Sequence, residues 1–413
     1  MTLAFTASTD TEPVLRWPGL VTPRSAPAKA WLAERLFRRT VARLPVRAVL
    51  PGGEVLGVGG PGSPVMRIVR PVTFFHRLGR DAKIGFGESF MAGDWDSRDL
   101  AGLLTPFAER IATLVPSALQ PLRRWVDAAH PADERNTVAG ARTNIHRHYD
   151  LSNEMFQSFL DDSMSYSAAW FPAGSADLHT AQLRKIDAIL DLAGVGAHTH
   201  LLEIGTGWGA LAIRAARRGA RVTTLTISPE QKTLAEHHIA QAGVADRVQV
   251  LLRDYREAHG HYDAVVSVEM IEAVGDEYWP TYFTTIARLL RPGGRVGLQA
   301  ITMPHDRMLA TRRSHTWIHK YVFPGGQLLS VPAVLANAAD AKLDVIERHS
   351  LGHHYAQTLH HWRRRFRANA DRVTAAGFDH TFRRMWEFYL AYCEAGFRAQ
   401  YLDVWQFAMT KPT

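Results

Sequence analysis

The stretch Leu201-Leu202-Glu203-Ile204-Gly205-Thr206-Gly207-Trp208-Gly209 carries the most specific chemistry in the chain. A short apolar run enters a glycine-rich turn, and ALAIRAARRG follows with helical spacing. Glycines stand where a backbone must turn tightly and let a ligand lie close against it. A phosphate-gripping dinucleotide turn reads G-x-G-x-x-G, whereas this one reads G-x-G-x-G behind an acidic strand residue. The plain alternative is a Rossmann-like turn that holds another nucleotide. The next apolar run ends in Thr226-Ile227-Ser228-Pro229-Glu230-Gln231, where hydroxyl and amide groups can hydrogen bond to ribose. A third ends at Asp254-Tyr255-Arg256, where an acid and a ring could hold adenine.

The G-x-G-x-G form resembles motif I of class I S-adenosylmethionine methyltransferases. That resemblance implies that Glu203, Gly205, Thr206 and Gly207 line the methionine and ribose end of the cofactor. Thr226, Ile227, Ser228 and Gln231 then stand in for the acidic ribose ligand of many such enzymes. Further strings point one way: HYDLSNEMFQSFLDDSMSYSAAWF, TISPEQKTLAE, DYRE, SVEMIEAVG, TWIHKYVFPGG and HHYAQTL. Together they resemble the cyclopropane fatty-acyl-phospholipid synthase and mycolic acid methyltransferase family, from about Gly85 to the C-terminus. The finer strings QAITMPHDRMLATR, WIHKYVFPGG and GFRAQYLDVWQF look like its tuberculostearic acid methyltransferase branch.

The resemblance implies an electrophilic reaction on an unsaturated acyl chain of a phospholipid. The alkene attacks the sulfonium methyl, so the site must align the two and exclude water from the resulting carbocation. Loss of a proton then gives a 10-methylene chain after a hydride shift, or a cyclopropane by direct closure. The family's base is a bicarbonate held by a Cys, a Glu, a His, a Tyr and a backbone group of an Ile. The matching positions here are Ala168, Glu272, Gln299, Tyr355 and Ile301, so two of the five depart from the pattern. Ala168 offers no thiol, and Gln299 keeps a donor but does not titrate. Bicarbonate therefore binds more weakly or another base works, with Glu272 as the expected acidic anchor. A buried carboxylate needs partners, and Tyr355 or a backbone amide is expected to supply one. Tyr166 and Ser167 match cofactor-contacting positions, although Tyr166 also reads as a core aromatic.

The elements that must position these residues follow from periodicity. HLLEIG, RVTTLTI, RVQVLL, YDAVVSV and RVGLQAI alternate with helical stretches, which predicts an α/β Rossmann-like fold with a mostly parallel sheet. Before it, WLAERLFRRTVARL predicts a basic amphipathic helix over 29–43. VRAVL and EVLGV flank Pro51-Gly52-Gly53, a hairpin signal, and VMRIVR adds a strand. Asp96 or Ser97 is expected to cap a helix that starts near Arg98. The expected organisation is a loose leader over 1–28, a small α+β lipid-interacting domain over 29–111 and a helical connection over 112–143. The methyltransferase domain then fills 144–413. Its C-terminal segments QTLHHWRRRFRANA and TFRRMWEFYLAYCEAGFRAQYLDVWQFAM read as helices that pack on the sheet and wall an acyl pocket.

With one cysteine, Cys393, the chain can form no internal disulfide and no cysteine-based zinc site. No metal is expected: His146 with His148 lacks a third ligand, and His353, His354, His360 and His361 sit at a predicted loop-to-helix start. No signal peptide or membrane span is apparent, which predicts a cytoplasmic protein held peripherally on the inner face of the membrane. The formal net charge is +8. Arginines cluster at 35–47, 123–124, 312–313 and 363–367, which suits an anionic membrane surface, or else only solvates helix faces. A nucleic-acid partner is not expected, because no N-P-P-Y string for extruded-base methylation is present. The alternatives are a cyclopropane synthase, a methyltransferase for a nucleic acid or a soluble metabolite, and a lipid-binding protein without catalysis. The branch resemblance further implies a flavin- or NADPH-dependent reductase that finishes the product, and it leaves room for a homo-oligomer.

Overall fold

The computed structural model describes residues 17–21, 26–110, 131, 136–137, 140–141 and 152–413. Most of 1–28 and of 112–143, together with His146, His148 and Tyr149, lies outside the described residues. The first long helix is Pro27–Val41, and proline at its start fits the one turn that needs no N–H partner. It buries Ala30, Phe37 and Val41 and leaves Trp31 and Leu32 exposed.

Four short strands follow: β1 (Arg47–Val49), β2 (Val55–Leu56), β3 (Val65–Ile68) and β4 (Trp95–Asp96). They form a sheet in the order β2-β1-β3-β4. The hairpin expected around Pro51-Gly52-Gly53 is the antiparallel β1–β2 pair. Helices Pro71–Arg80, Ala82–Met91 and Leu100–Glu109 complete this region. The expected cap at Asp96 or Ser97 is corrected: Asp96 belongs to β4, and Asp99 accepts a hydrogen bond from the Gly102 amide to start the helix at Leu100.

The large sheet has seven strands in the order β10-β11-β9-β8-β5-β6-β7. In chain order these are β5 (His200–Ile204), β6 (Arg221–Thr226), β7 (Val248–Leu252), β8 (Tyr262–Val268), β9 (Leu290–Thr302), β10 (Asp344–Ser350) and β11 (Asp403–Thr410). The five runs read from sequence are β5 to β9, all parallel to their neighbours in that set. β5 and β8 are buried on both faces, which is why they read as unbroken apolar runs. β11 pairs antiparallel with β9 and with β10. The expectation that DVWQFAM continues a C-terminal helix is thus corrected. The helix His380–Arg398 ends three residues before Tyr401, and the chain returns as a strand against β9.

One apolar core joins the two ends of the chain. Phe74, Phe90 and Trp95 of the small sheet region cluster with Trp317, Phe388, Trp386, Trp362 and Tyr355. Phe388 contacts Phe90 and Trp317 at ring-centroid distances of 5.5 and 4.7 Å. The helix Gly352–Ala368 packs on β11, and His380–Arg398 packs on that helix and on the helices Ala82–Met91 and Leu100–Glu109 of the small-sheet region.

Candidate active site

Chain order reverses about β5, whose neighbours are β6 on one side and β8 on the other. In an open α/β sheet, ligands bind outside the carboxyl ends of the strands at such a switch point. A cavity lies there, bounded by the turn after β5, by Thr226 to Gln231 after β6 and by Asp254 to Arg256 after β7.

The turn places Gly205 at φ 101° and Gly207 at φ 52°, both in the region that side chains rarely adopt. A Cβ on Gly205 would lie 3.0 Å from Met270 Cγ, whereas one on Gly207 would meet nothing within 4 Å. The first glycine permits close packing against the turn after β8, and the second leaves bare backbone beside the cavity. Glu203 lies beneath the turn, buried, and accepts a hydrogen bond from Thr224 Oγ1 at 2.6 Å. Thr206 and Thr224 share a hydroxyl–hydroxyl bond of 2.7 Å. Burial pushes the Glu203 carboxyl up to about 8.

Thr226 Oγ1 donates to Gln231 Oε1 at 2.9 Å and accepts from the Ser228 amide at 3.1 Å. Thr226, Ile227 and Gln231 face the cavity. Ser228 serves behind them, capping the helix Pro229–Gln241 through the Gln231 amide. Asp254 does not reach into the cavity as a free acid. Arg256 donates to both of its oxygens, at 2.8 and 2.7 Å, and lies over the rings of Tyr255 and Tyr278. Arg256 also donates to the Asn136 carbonyl at 3.0 Å. The aromatic and guanidinium planes, with Asp254 fixing them, form that wall.

The opposite wall comes from the segment before the helix Leu178–Leu192. Tyr166 shares a hydroxyl bond of 2.7 Å with Tyr389 and packs on Phe156 and Trp362, so it is both core aromatic and cavity wall. Ser167 Oγ accepts from Lys185 Nζ at 2.7 Å, and its carbonyl accepts from Gln182 Nε2 at 2.9 Å. Lys185 is buried, which pulls its ammonium down to about 8 against the opposing charges of Glu269, Asp161 and Glu203. Sequence reasoning passed over Gln182 and Lys185. Helical spacing with Leu178, Ala181, Ile186 and Ile189 puts both on the buried stripe, a polar intrusion that was there to be read.

The acidic centre holds the largest surprise. Glu269, immediately after β8, lines the cavity and was not among the expected site residues. Its Oε1 accepts from the Ala168 amide at 2.8 Å and from Gln299 Nε2 at 2.7 Å. Its Oε2 accepts from the Tyr355 hydroxyl at 2.7 Å. Gln406 of β11 donates to Gln299 Oε1 at 3.0 Å, which turns the Gln299 amine toward Glu269. Burial raises the Glu269 carboxyl, opposed by these donors and by Lys185. The backbone of Glu269 sits at φ 49°, a conformation worth roughly 1–3 kcal/mol of strain in a residue with a side chain. Such strain persists where the surroundings hold it and clusters at functional sites.

Glu272 follows one turn later and does not line the cavity. Its Oε1 accepts from the Ile301 amide at 2.5 Å, so of the two expected partners a backbone amide is the one that satisfies it. Its Oε2 is buried without a partner. Burial, then the charge of Glu269, pushes Glu272 up to about 8. Tyr355 therefore satisfies Glu269 and not Glu272. The bicarbonate expectation does not fit these residues, because the Ala168 amide, Gln299 and Tyr355 already donate to a carboxylate of the chain itself. Acidic residues at a buried strand's carboxyl end, as in SVEMIEAVG, are the signal that could have found Glu269.

Elsewhere, His353 and His354 do stand at the start of the helix Gly352–Ala368, while His360 and His361 lie about two turns inside it. Cys393 is half-buried, with its thiol pushed up to about 12, which leaves it a poor nucleophile at neutral pH. Within the 363–367 cluster, Arg363 is consumed by the buried Glu394 at 2.8 Å.

A family model described as mycolic acid cyclopropane synthetase matches residues 137–407. Tuberculostearic acid methyltransferase UfaA1 of Mycobacterium tuberculosis is 49% identical over 408 residues, covering 96% of this chain and 95% of its own. The cyclopropane-fatty-acyl-phospholipid synthase of Escherichia coli is 30% identical over 370 residues, covering 86% of this chain and 90% of its own. Among solved structures, the mycolic acid cyclopropane synthase CmaA1 complexed with SAH and CTAB superposes with a TM-score of 0.61 at 32% identity. That match covers 65% of this chain and 98% of CmaA1.

Proposed function

The chain belongs to the mycolic acid cyclopropane synthetase family and is an S-adenosylmethionine-dependent methyltransferase; from that premise we propose that it methylates the double bond of an unsaturated, oleoyl-type chain in a membrane phospholipid and releases a 10-methylene acyl product. The observation that carries this reading is the 49% identity along nearly the whole chain with a tuberculostearic acid methyltransferase. The extent of the matches supports a phospholipid substrate. The phospholipid synthase covers 86% of this chain, against 65% for the mycolic acid synthase structure.

The cavity suits S-adenosylmethionine: open backbone at Gly207, hydroxyl and amide groups at Thr226 and Gln231, and the Tyr255 ring on Arg256. When bound, the cofactor supplies an electrophilic methyl group. Gly205 and Gly207 would hold its methionine end, Thr226 and Gln231 its ribose, and Tyr255 and Arg256 its adenine. Tyr166 and Ser167 line the cavity, and behind Tyr166 the rings of Phe156, Phe159, Trp362 and Trp386 pack as buried core. An apolar backing of this kind keeps water from a carbocation.

Delivery of the lipid needs a membrane face. The helix Pro27–Val41 presents Trp31 and Leu32, 61% and 50% exposed, beside Arg35, Arg39 and Arg43. Arginines beside an anionic surface contribute about 1 kcal/mol each. Among the described residues no helix is long and apolar enough to cross a membrane. Peripheral attachment is the matching mode, and binding to anionic over neutral vesicles at low salt is the expected result. The methylene product retains a double bond, which a flavin- or NADPH-dependent reductase would saturate.

The test uses oleoyl phospholipid vesicles, methyl-labelled S-adenosylmethionine and NMR of the recovered acyl chains. Vinylidene protons on labelled carbon are the expected outcome. High-field cyclopropane protons would replace the methylene product with the ring, and no label in lipid would overturn the substrate.

A further inference from the structure

The donors around Glu269 are those which, by family resemblance, would grip a soluble anion. The Ala168 amide, the Gln299 amine and the Tyr355 hydroxyl converge on one carboxylate, at 2.8, 2.7 and 2.7 Å. These donors come from three separate segments, and the carboxylate they meet is covalently part of the chain. It also lines the cofactor cavity beside Gly205 and Met270. We infer that Glu269 is the proton acceptor of the reaction, a resident base that takes the place of a bound bicarbonate.

This rests on the reading of the chain as an alkene methyltransferase. The alkene π pair forms a bond to the methyl carbon while the carbon–sulfur bond breaks, and the sulfur keeps that pair as a neutral thioether. The charge left on the acyl chain moves to the methylated carbon by a 1,2-hydride shift. A C–H bond of the new methyl group then breaks. Its electron pair closes the exocyclic double bond, and its proton passes to Glu269. Oε1 carries two hydrogen bonds and Oε2 one, so Oε2 keeps the free lone pair that receives it. The neutral acid returns its proton to water once product leaves. A proton next to a carbocation is so acidic that a well-stabilised carboxylate is basic enough, and the donors serve to hold Glu269 ionised and aimed.

Glu272 takes a different part. It does not line the cavity, and burial, then the negative charge of Glu269, disfavours its ionisation. Two adjacent buried carboxyls do not both ionise readily. A neutral Glu272 leaves the charge on Glu269, where the donors are. Gln299, Tyr355 and, one step behind, Gln406 are positioning residues.

The experiment compares wild type, Glu269→Gln and Glu269→Gly in carbon-dioxide-depleted buffer, with and without added bicarbonate. Each is given methyl-labelled S-adenosylmethionine and dioleoyl phosphatidylglycerol vesicles. Calorimetry titrates S-adenosylhomocysteine into each protein, then bicarbonate into the loaded wild type and Glu269→Gly. Wild-type turnover is expected to ignore bicarbonate. Both variants should keep S-adenosylhomocysteine affinity, and Glu269→Gln should lose on the order of 10²–10⁴ in turnover. Glycine suits φ 49° and frees the three donors. Bicarbonate should therefore bind Glu269→Gly but not wild type, and should restore about tenfold of its lost turnover.

Wild-type dependence on bicarbonate, or full turnover by Glu269→Gln, would overturn the assignment while leaving the proposed function in place. If wild type puts no label into lipid, the proposed function fails. The bicarbonate calorimetry then still decides the pocket's occupant, and equal binding to wild type and Glu269→Gly overturns the resident carboxylate. Should Glu269→Gln misfold, the response of wild type to bicarbonate depletion decides.

Discussion

The cofactor cradle and the carboxylate pocket share a wall at Gly205 and Met270 but are assembled on different principles. The cradle comes from three contiguous segments, each directly after one of the neighbouring strands β5, β6 and β7. Much of its grip is backbone shape. In the pocket, hydrogen bonds to Glu269 span 101, 30 and 86 positions of sequence. Its function lies in side-chain chemistry that only the finished fold brings together. Changes to the cradle should therefore act on affinity, and changes to the pocket on turnover.

Gly205→Val is the largest test of that separation. The strain of φ 101° and the 3.0 Å approach to Met270 Cγ together amount to about 3 kcal/mol. Calorimetry should show S-adenosylhomocysteine binding weakened about 100-fold. Unchanged affinity would mean that the turn does not carry the ligand. Tyr355→Phe comes next. Loss of one hydrogen bond to a charged group should lower kcat about 10- to 100-fold with the cofactor KM unchanged. Its acid limb should also move to higher pH, because Glu269 loses a donor that favours its ionised form. A fall in kcat without that shift would assign Tyr355 a packing role only.

Glu272→Gln reads the pocket through stability. The folded carboxyl sits near 8, above the usual 4.5, so its neutral form is the one the fold prefers. That preference favours the folded state fully at acid pH and is lost as pH rises from the usual carboxylate range through about 8. Glutamine does not titrate, so the variant's Tm relative to wild type should rise between pH 5 and pH 8, by roughly 2–4 °C. A pH-independent difference would show that Glu272 ionises normally. Asp99→Ala is the smallest change and lies in neither region. Removing the helix cap should lower stability by about 1 kcal/mol in denaturant unfolding and leave both binding and turnover alone. Altered turnover would show that the small sheet region feeds into the site.

The same contrast explains what could be read before the structure. All five parallel strands were legible: β5, β6, β8 and β9 are interior, β5 and β8 buried on both faces, and β7, though an edge strand, keeps the apolar, β-branched run Val248 to Leu252. The cradle was legible for the same reason, since its glycines and polar groups follow those runs directly. β10 and β11 were not. β10 is an edge strand, DVIERHS, whose polar residues look out to solvent, and DVWQFAM trails an aromatic helix without a proline to mark the break. Within the pocket, Glu272 and Ile301 were found through resemblance and do meet. Glu269 escaped because the resemblance has a soluble anion where this chain has a side chain. Spacing alone gives no means of knowing that Ala168, Gln299 and Tyr355 point at one atom group.

The φ of 49° at Glu269 has an evolutionary consequence. Glycine is the residue most at ease there, and glutamate and glycine codons differ by a single base. One mutation would relieve the backbone and open the anion pocket, exchanging a built-in base for one drawn from dissolved carbon dioxide. Self-sufficiency and dependence on the medium thus lie one step apart in sequence space, with the favourable backbone energy on the dependent side.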